Sequence, residues 1–412
     1  MEWALAIISA TLLLVALGSS KLVGTPFTPA MVFVAVGVVV GPLVLDEVHL
    51  SSSGETARTL AEATLALVLF ADASSVDLRK LRRDPQVPVR LLAIGLPLTI
   101  VAGALAAILL FGQLTVTEAL VLAVLLAPTD AALGQAVVTN EKVPARIRRA
   151  LNVESGLNDG ICVPLLLIVL ATAETESHVE SGGDALRIVF EEIGYGVAAG
   201  VAVGGLAALV LVQASRRGLV SPAWRQAVPL ASAFLAYGIA APLGGSGFIA
   251  AFVAGMAFGH LVRREAAALT VLSEEVGQLL NGVTFTVFGA TLLGPALEHV
   301  SWQVLAYAVL SLTLVRMIPV ALSLVGTAHA SAPTVGFLGW FGPRGLASIV
   351  FAVIVVEESN LPHVATILVT TYVTIGLSVL LHGLTAAPLA DRYAAWSAAR
   401  GQAPAGRTAR PR

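Results

Sequence analysis

The sequence predicts an all-α polytopic membrane protein: 13 transmembrane helices in inverted repeats, two of them broken and crossing. Three observations lead there. Charged residues make up 12% of the 412 positions and hydrophobic residues 57%, whereas soluble domains carry roughly 25% charge. Apolar runs near the length of a spanning helix, about 20 residues, follow one another along nearly the whole chain. Lysine and arginine collect in alternate loops, as they do on the cytoplasmic side of a membrane.

Cutting the chain where charge or turn residues interrupt the hydrophobicity places spans at about 3–19, 28–45, 57–74, 90–111, 116–139, 147–172, 186–214, 224–243, 245–261, 266–295, 302–326, 332–356 and 362–386. Of the 24 basic residues, 20 follow odd-numbered spans: Lys21; Arg79, Lys80, Arg82, Arg83 and Arg90; Lys142, Arg146, Arg148 and Arg149; Arg216, Arg217 and Arg225; Arg263 and Arg264; and Arg392, Arg400, Arg407, Arg410 and Arg412. Only Arg58 and Arg187 sit in even-numbered loops, which hold acids such as Glu174, Glu176, Glu180, Asp184, Glu357 and Glu358. This alternation puts the N-terminus outside and the C-terminus in the cytoplasm of a cell (inner) membrane, and a miscount by one span would scramble it. The first apolar stretch follows Met1-Glu2 with no basic start and no small-residue cleavage site, so it reads as a retained helix. Residues 1–390 read as one membrane transport domain, and 391–412 as a short, Arg-rich cytoplasmic tail expected to be disordered. The net charge of −2 argues against nucleic acid as a partner, and Cys162 alone excludes an intrachain disulfide or a cysteine metal cluster.

Arg316 and Arg344 fall inside spans 11 and 12. An ion at a helix centre costs roughly 2.5–3.5 kcal/mol on insertion scales, which makes each a functional-site hypothesis. Asp130, Glu154 and Asp159 sit comparably deep in spans 5 and 6, so buried acids and bases in one bundle are expected to pair. Glu62 and Asp72 of span 3 read as a helix face turned to water, with an outer funnel or dimer interface as the alternative; Glu274 and Glu275 stay unassigned.

Span 6 contains Glu154-Ser155-Gly156-Leu157-Asn158-Asp159-Gly160. On a helix, Glu154, Asn158, Ser155 and Asp159 point at about 0°, 40°, 100° and 140°, one polar face on an otherwise apolar helix. An Asn-Asp-Gly surface turn is the alternative, but it would sit mid-membrane, where lipid-exposed irregular backbone is not tolerated. The polar face is expected to line an enclosed cavity.

Span 5 carries Pro128-Thr129-Asp130 and span 12 carries Phe341-Gly342-Pro343-Arg344-Gly345. Proline removes a backbone donor and clashes with the preceding turn, so both helices should break there. By the loop parity spans 4–6 and 11–13 enter from opposite sides, so the breaks occupy matched places in two inverted triplets, the sequence pointer to a transporter's midplane site. Half-helix ends carry partial charges. This gives Asp130 and one of Arg344 or Arg316 a structural role as dipole complements, which for Asp130 is favoured over direct ion ligation.

Together with Gly247-Phe248-Ile249-Ala250-Ala251-Phe252-Val253-Ala254-Gly255, these motifs resemble the NhaP-type monovalent cation/proton antiporters, relatives of the sodium/proton exchangers. The resemblance covers essentially all 13 spans. It implies that Asp159 is the ion- and proton-binding carboxylate and Asn158 its partner. It further implies that Ser155 and the backbone carbonyl of Thr129 are ligands, Asp130 lies nearby through water, and Glu154 pairs with Arg316. It implies a homodimer whose mobile six-helix core, about 90–172 and 302–386, moves against the remaining helices.

The residues supply a coupling mechanism. Desolvation disfavours a charged carboxylate, so in a poorly hydrated cavity Asp159 holds either a proton or a cation near physiological pH, and not both well. If the core crosses only when that charge is neutralised, Na⁺, Li⁺ or K⁺ moving one way is answered by H⁺ moving the other. With Glu154 held by Arg316, the two loaded states carry equal charge and exchange should be electroneutral, one for one. The hard oxygen ligands suit these cations and no soft metal, and no cofactor or catalytic residue is expected.

Other readings compete less well. A cation channel would need a continuous wet path and selectivity rings, and a membrane sensor a sizeable output domain. Gly244-Gly245-Ser246-Gly247 matches the Gly-x-Ser-Gly of intramembrane serine proteases, with His260 or His382 as base, but it lies in a short predicted outer loop. All seven histidines, His49, His178, His260, His299, His329, His363 and His382, fall at span ends or in loops, where solvated or interfacial side chains are expected.

Overall fold

The computed structural model describes residues 2–22, 25, 27–44, 54–76, 85–177, 182–262, 265–327, 331–358 and 360–401. Every regular element among them is helical. The principal ones are α1 (Glu2–Leu22), α2 (Pro29–Val40), α3 (Gly54–Ser75), α4 (Gln86–Leu110), α5 (Val116–Leu125), α6 (Gln135–Val138), α7 (Ala145–Ser177) and α8 (Gly182–Arg216). They continue with α9 (Pro222–Leu243), α10 (Gly247–Val262), α11 (Val271–Leu297), α12 (Trp302–Leu324), α13 (Ala332–Trp340), α14 (Leu346–Glu358) and α15 (Val364–Gly401). Seven of them, α4, α7, α8, α9, α11, α12 and α15, are long and apolar enough to cross a membrane, and α1, α2, α5, α10 and α14 are shorter apolar helices. Helix occupies each expected span, with α5 and α6 sharing span 5 and α13 and α14 sharing span 12.

The breaks fall where proline punctuates the chain. A capping box starts α5: Thr115 Oγ1 accepts from Glu118 N, and Glu118 returns its carboxylate to Thr115 N. The helix stops at Leu125 and the chain stays unwound through Pro128 to the turn at 131–134. α13 stops at Trp340, and Phe341–Gly345 has no regular structure before α14. A third discontinuity was not expected. α12 divides at Thr313, whose backbone (φ −113°, ψ −95°) is not helical, so Arg316 opens the second half.

The other helices pack through small residues. Gly196, Gly200 and Gly204 form a row on α8 against Ser246, Ala250 and Ala254 on or beside α10; a Cβ at Gly200 would stand 2.6 Å from Ala250 O. Such a row lets two backbones approach closely.

Two expectations need correction. α15 does not end near 386: it runs on to Gly401, so residues 391–401 of the expected disordered tail are helical. The reason is packing, since Tyr393 stacks on Phe337 at 4.2 Å between ring centroids and Trp396 lies 5.5 Å from Tyr393. Residues 402–412 lie outside the described residues, as do Arg79, Lys80, Arg82, Arg83, Arg263, Arg264, Glu180, His49, His178 and His329. The histidine expectation fails for His382, which is 1% exposed, because the continuation of α15 carries it well inside the helix.

Candidate functional site

The two unwound segments meet mid-span. Asp130 N donates to Pro343 O at 2.7 Å, joining one break directly to the other. The Asp130 carboxylate takes three backbone N–H groups, Ala132 (2.8 Å) and Leu133 (3.4 Å) on Oδ1 and Leu346 (3.1 Å) on Oδ2. Leu346 begins α14, so Asp130 complements that helix's positive end. Arg344 does the converse. Its Nη1 donates to Ala127 O (2.6 Å) and Pro128 O (3.1 Å), the free carbonyls beyond the end of α5. Of the two arginines considered as dipole complements, Arg344 therefore meets the half-helix end. The close crossing needs glycine, since a Cβ at Gly345 would overlap the Asp130 carboxylate and one at Gly342 would come within 2.6 Å of Arg316 Nε.

Arg316 instead reaches α7, with Nη2 2.6 Å from Glu154 Oε1; both side chains are nearly sealed, at 2% and 3% exposure. Two side chains further round α7 hold the unwound link of span 5. Ser155 Oγ donates to Thr129 O at 2.5 Å and accepts from Ala131 N at 2.8 Å. Asn158 Nδ2 donates to Thr129 Oγ1 at 2.7 Å. Thr129, Ser155 and Asn158 are thus brought together, as are Glu154 with Arg316 and Asp130 with the α14 end.

Asp159 is placed differently. It is buried at 6% exposure and hydrogen-bonds to none of these residues, and its Oδ1 has no partner among the described residues. Asn158 Oδ1 is likewise buried and unpartnered. The carboxylates of Asp130 and Asp72 lie near enough to act on Asp159 electrostatically. Buried acceptor oxygens without donors are costly, so this is where a proton or a hard cation would be stabilised. A small cavity reaches the link from one side, lined by Thr129, Asp130, Ser155, Leu151, Val138 and Phe341.

Sequence reading turned the α3 acids Glu62 and Asp72 to water, and packing revises this. Asp72 abuts α7, where a Cβ on Gly156 would lie 3.3 Å from its Cβ, a contact that no motif announces. Glu62 does not simply face water: its carboxylate accepts from Tyr237 Oη (2.9 Å) and Arg58 Nε (2.5 Å). Glu274 accepts from Thr270 Oγ1 at 3.1 Å. Ser246 precedes α10 and accepts from Ile249 N at 3.5 Å, a capping position.

Two helices unwound at the same level, crossing, and carrying charges that complement each other's ends define a secondary-transporter fold. The chain belongs to the sodium/hydrogen exchanger family, a transmembrane family whose pattern matches residues 7–392. It is 31% identical to the Na⁺/H⁺ antiporter NhaP of Pseudomonas aeruginosa over 349 residues, 80% of this chain and 79% of that one. It is 27% identical to a Na⁺/H⁺ antiporter of Schizosaccharomyces pombe over 258 residues, 59% of this chain and 54% of the relative's length. Its fold is that of the sodium proton antiporter MjNhaP1 from Methanocaldococcus jannaschii, with a TM-score of 0.77 over 95% of this chain and 98% of that one at 19% identity.

Proposed function

We propose that the chain is a secondary active transporter exchanging Na⁺, or Li⁺ or K⁺ in its place, for H⁺ across the cell membrane by alternating access, with proton and cation competing for Asp159. The observation that carries this reading is the pair of buried, unpartnered oxygens, Asp159 Oδ1 and Asn158 Oδ1, beside the unwound Thr129 link. Near the crossing, Ser155 and the Thr129 carbonyl complete a hard-oxygen set for a monovalent cation, with Asp130 as a further neighbour. The cation is cargo, held only until the cavity turns over. Glu154 is paired with Arg316, so the two loaded states of Asp159 carry equal charge and exchange is electroneutral and one for one. Family membership supports exchange over the channel reading.

The loop parity supports 13 crossings, an outside N-terminus and a cytoplasmic C-terminus. The cavity at Ser155 is also lined by Val138 and Leu151. Residues of about 90–172 and 302–386 form the moving core, the remaining helices the scaffold of a homodimer.

The test is dissipation of an imposed ΔpH in proteoliposomes on adding Na⁺, Li⁺ or K⁺, with the membrane potential clamped or free, for the native protein and Asp159→Ala. Cation-dependent collapse that needs Asp159 and ignores the clamp supports the reading, and the cation series names the substrate. Exchange that survives Asp159→Ala removes the site assignment.

A further inference from the structure

The break in span 12 takes two backbone groups out of the helical pattern, the Trp340 carbonyl at the end of α13, which receives the Gly342 N–H at 2.8 Å, and the Arg344 N–H just before α14. One face of α15 meets both. His382 Nε2 lies 2.9 Å from Trp340 O, and Ser378 Oγ accepts from Arg344 N at 2.7 Å. Ser378 and His382 are one helical turn apart, and Thr385, almost one turn further, accepts from Trp340 Nε1 at 2.9 Å. The His382 ring also lies over the Trp340 ring, 5.0 Å between centroids at 32°. Burial is complete: His382 is 1% exposed, and Ser378 and Arg344 are 0% exposed.

Each ring nitrogen faces a carbonyl that can only accept: Nε2 faces Trp340 O, and Nδ1 lies 3.0 Å from Ser378 O, with Ser378 Oγ at 3.2 Å. The tie to Trp340 uses the tautomer with the hydrogen on Nε2. A single bridge results: Arg344 N–H to Ser378 Oγ, Ser378 to the Nδ1 side of the His382 ring, and His382 Nε2 to Trp340 O. It ties one end of the unwound segment to the other. Between those ends lie Pro343, whose carbonyl receives Asp130 N, and Gly342, which touches Arg316.

We propose that His382 and Ser378 are positioning residues for transport: they hold the Phe341–Gly345 link in the register that shapes the crossing, and thereby set cation affinity at a site they do not touch. The proposal rests on the exchange assigned to Asp159. A purely structural brace would change how much folded protein survives; a positioning brace changes the KM of the folded protein.

Glutamine places its amide nitrogen where imidazole has Nε2, whereas asparagine reaches only the Nδ1 position. Native protein, His382→Gln, His382→Asn and Ser378→Ala are reconstituted, and KM for Na⁺ and maximal rate are read from ΔpH dissipation, with thermal unfolding of the same preparations. His382→Gln should keep KM within about twofold. His382→Asn and Ser378→Ala should raise it about tenfold, the order of one buried hydrogen bond left unmade, with maximal rates little changed. Equal KM values for the two amide variants, high or low, overturn the proposal, and if His382→Asn does not fold, an unchanged KM in Ser378→Ala does so. ¹⁵N NMR of His382 in the native protein should show the neutral Nε2–H tautomer that serves Trp340 O, and an Nδ1–H tautomer, donating to Ser378 O instead, would remove the tie to Trp340 and overturn the proposal. If the native protein moves no cation, the exchange reading fails instead, while the NMR measurement still decides the hydrogen-bond chain.

Discussion

Asp130 and Arg344 each complete the helix that the other's segment interrupts: the Asp130 carboxylate takes Leu346 N–H at the start of α14, and the Arg344 guanidinium covers the Ala127 and Pro128 carbonyls beyond the end of α5. The exchange is reciprocal and fully buried on the arginine side. Arg344→Ala should therefore strand two carbonyls and leave the nearby acids without their countercharge, a loss of about 3–5 kcal/mol by analogy with broken buried pairs. Arg344→Lys keeps the charge but does not put a donor where Nη1 serves both carbonyls, and should recover only part of the stability. Thermal unfolding of the purified proteins, together with ΔpH dissipation, measures both.

The Glu154–Arg316 pair makes a sharper electrical prediction. Both side chains are almost sealed, so Arg316→Gln leaves a lone buried carboxylate and Glu154→Gln a lone buried guanidinium, each costing about 3–5 kcal/mol. The double variant Glu154→Gln/Arg316→Gln should lose much less than the sum of the two. Arg316→Gln should also make exchange sensitive to membrane potential, because the Glu154 carboxylate then lacks its balancing charge. A four-protein unfolding cycle reads the first effect, and a valinomycin clamp in K⁺-loaded vesicles reads the second. Additive losses and a potential-independent rate would both count against the pairing.

The parts of this site legible in sequence are those that violate a local rule. Pro128 and Pro343 cannot continue a helix, and Glu154, Ser155, Asn158 and Asp159 interrupt an apolar run with one polar face. Partner choice is less legible because it is made by packing: nothing in the local sequence decides that Arg344 meets the α5 carbonyls while Arg316 meets Glu154. The Thr313 break carries neither proline nor glycine and had no signal. His382 was misplaced because span ends were set by the first charges. The helix continues past them through Tyr393 and Trp396, which pack on Phe337 and on each other.

The tight crossing predicts how glycine substitutions will differ. A Cβ at Gly345 would overlap the Asp130 carboxylate, which is held by the Leu346, Ala132 and Leu133 N–H groups. Gly345→Ala should cost about 1–3 kcal/mol through overpacking and suppress exchange. Gly238 of α9 is exposed, helical and clear of any atom within 4 Å. Gly238→Ala should leave exchange intact and add up to about 1 kcal/mol through helix propensity. Thermal unfolding beside transport, for both variants, tests the contrast.

At the other end of the broken span, Glu118 holds three donors at once. It closes the capping box on Thr115 N (2.9 Å), accepts from His363 N (2.8 Å), and lies 3.0 Å from His363 Nδ1. Its side chain is 1% exposed while that of His363 is 36% exposed, so the two residues are not equivalent. Glu118→Ala leaves two part-buried backbone N–H groups unmet and should cost about 1–3 kcal/mol, a cap plus a hydrogen bond. His363→Ala keeps its own N–H on the carboxylate and loses only a half-exposed ring contact, which should cost about 0–1 kcal/mol, the range of exposed ion pairs. Thermal unfolding that ranks Glu118→Ala well below His363→Ala supports the carboxylate as the organiser of this junction; equal losses would assign the role to the ion pair instead.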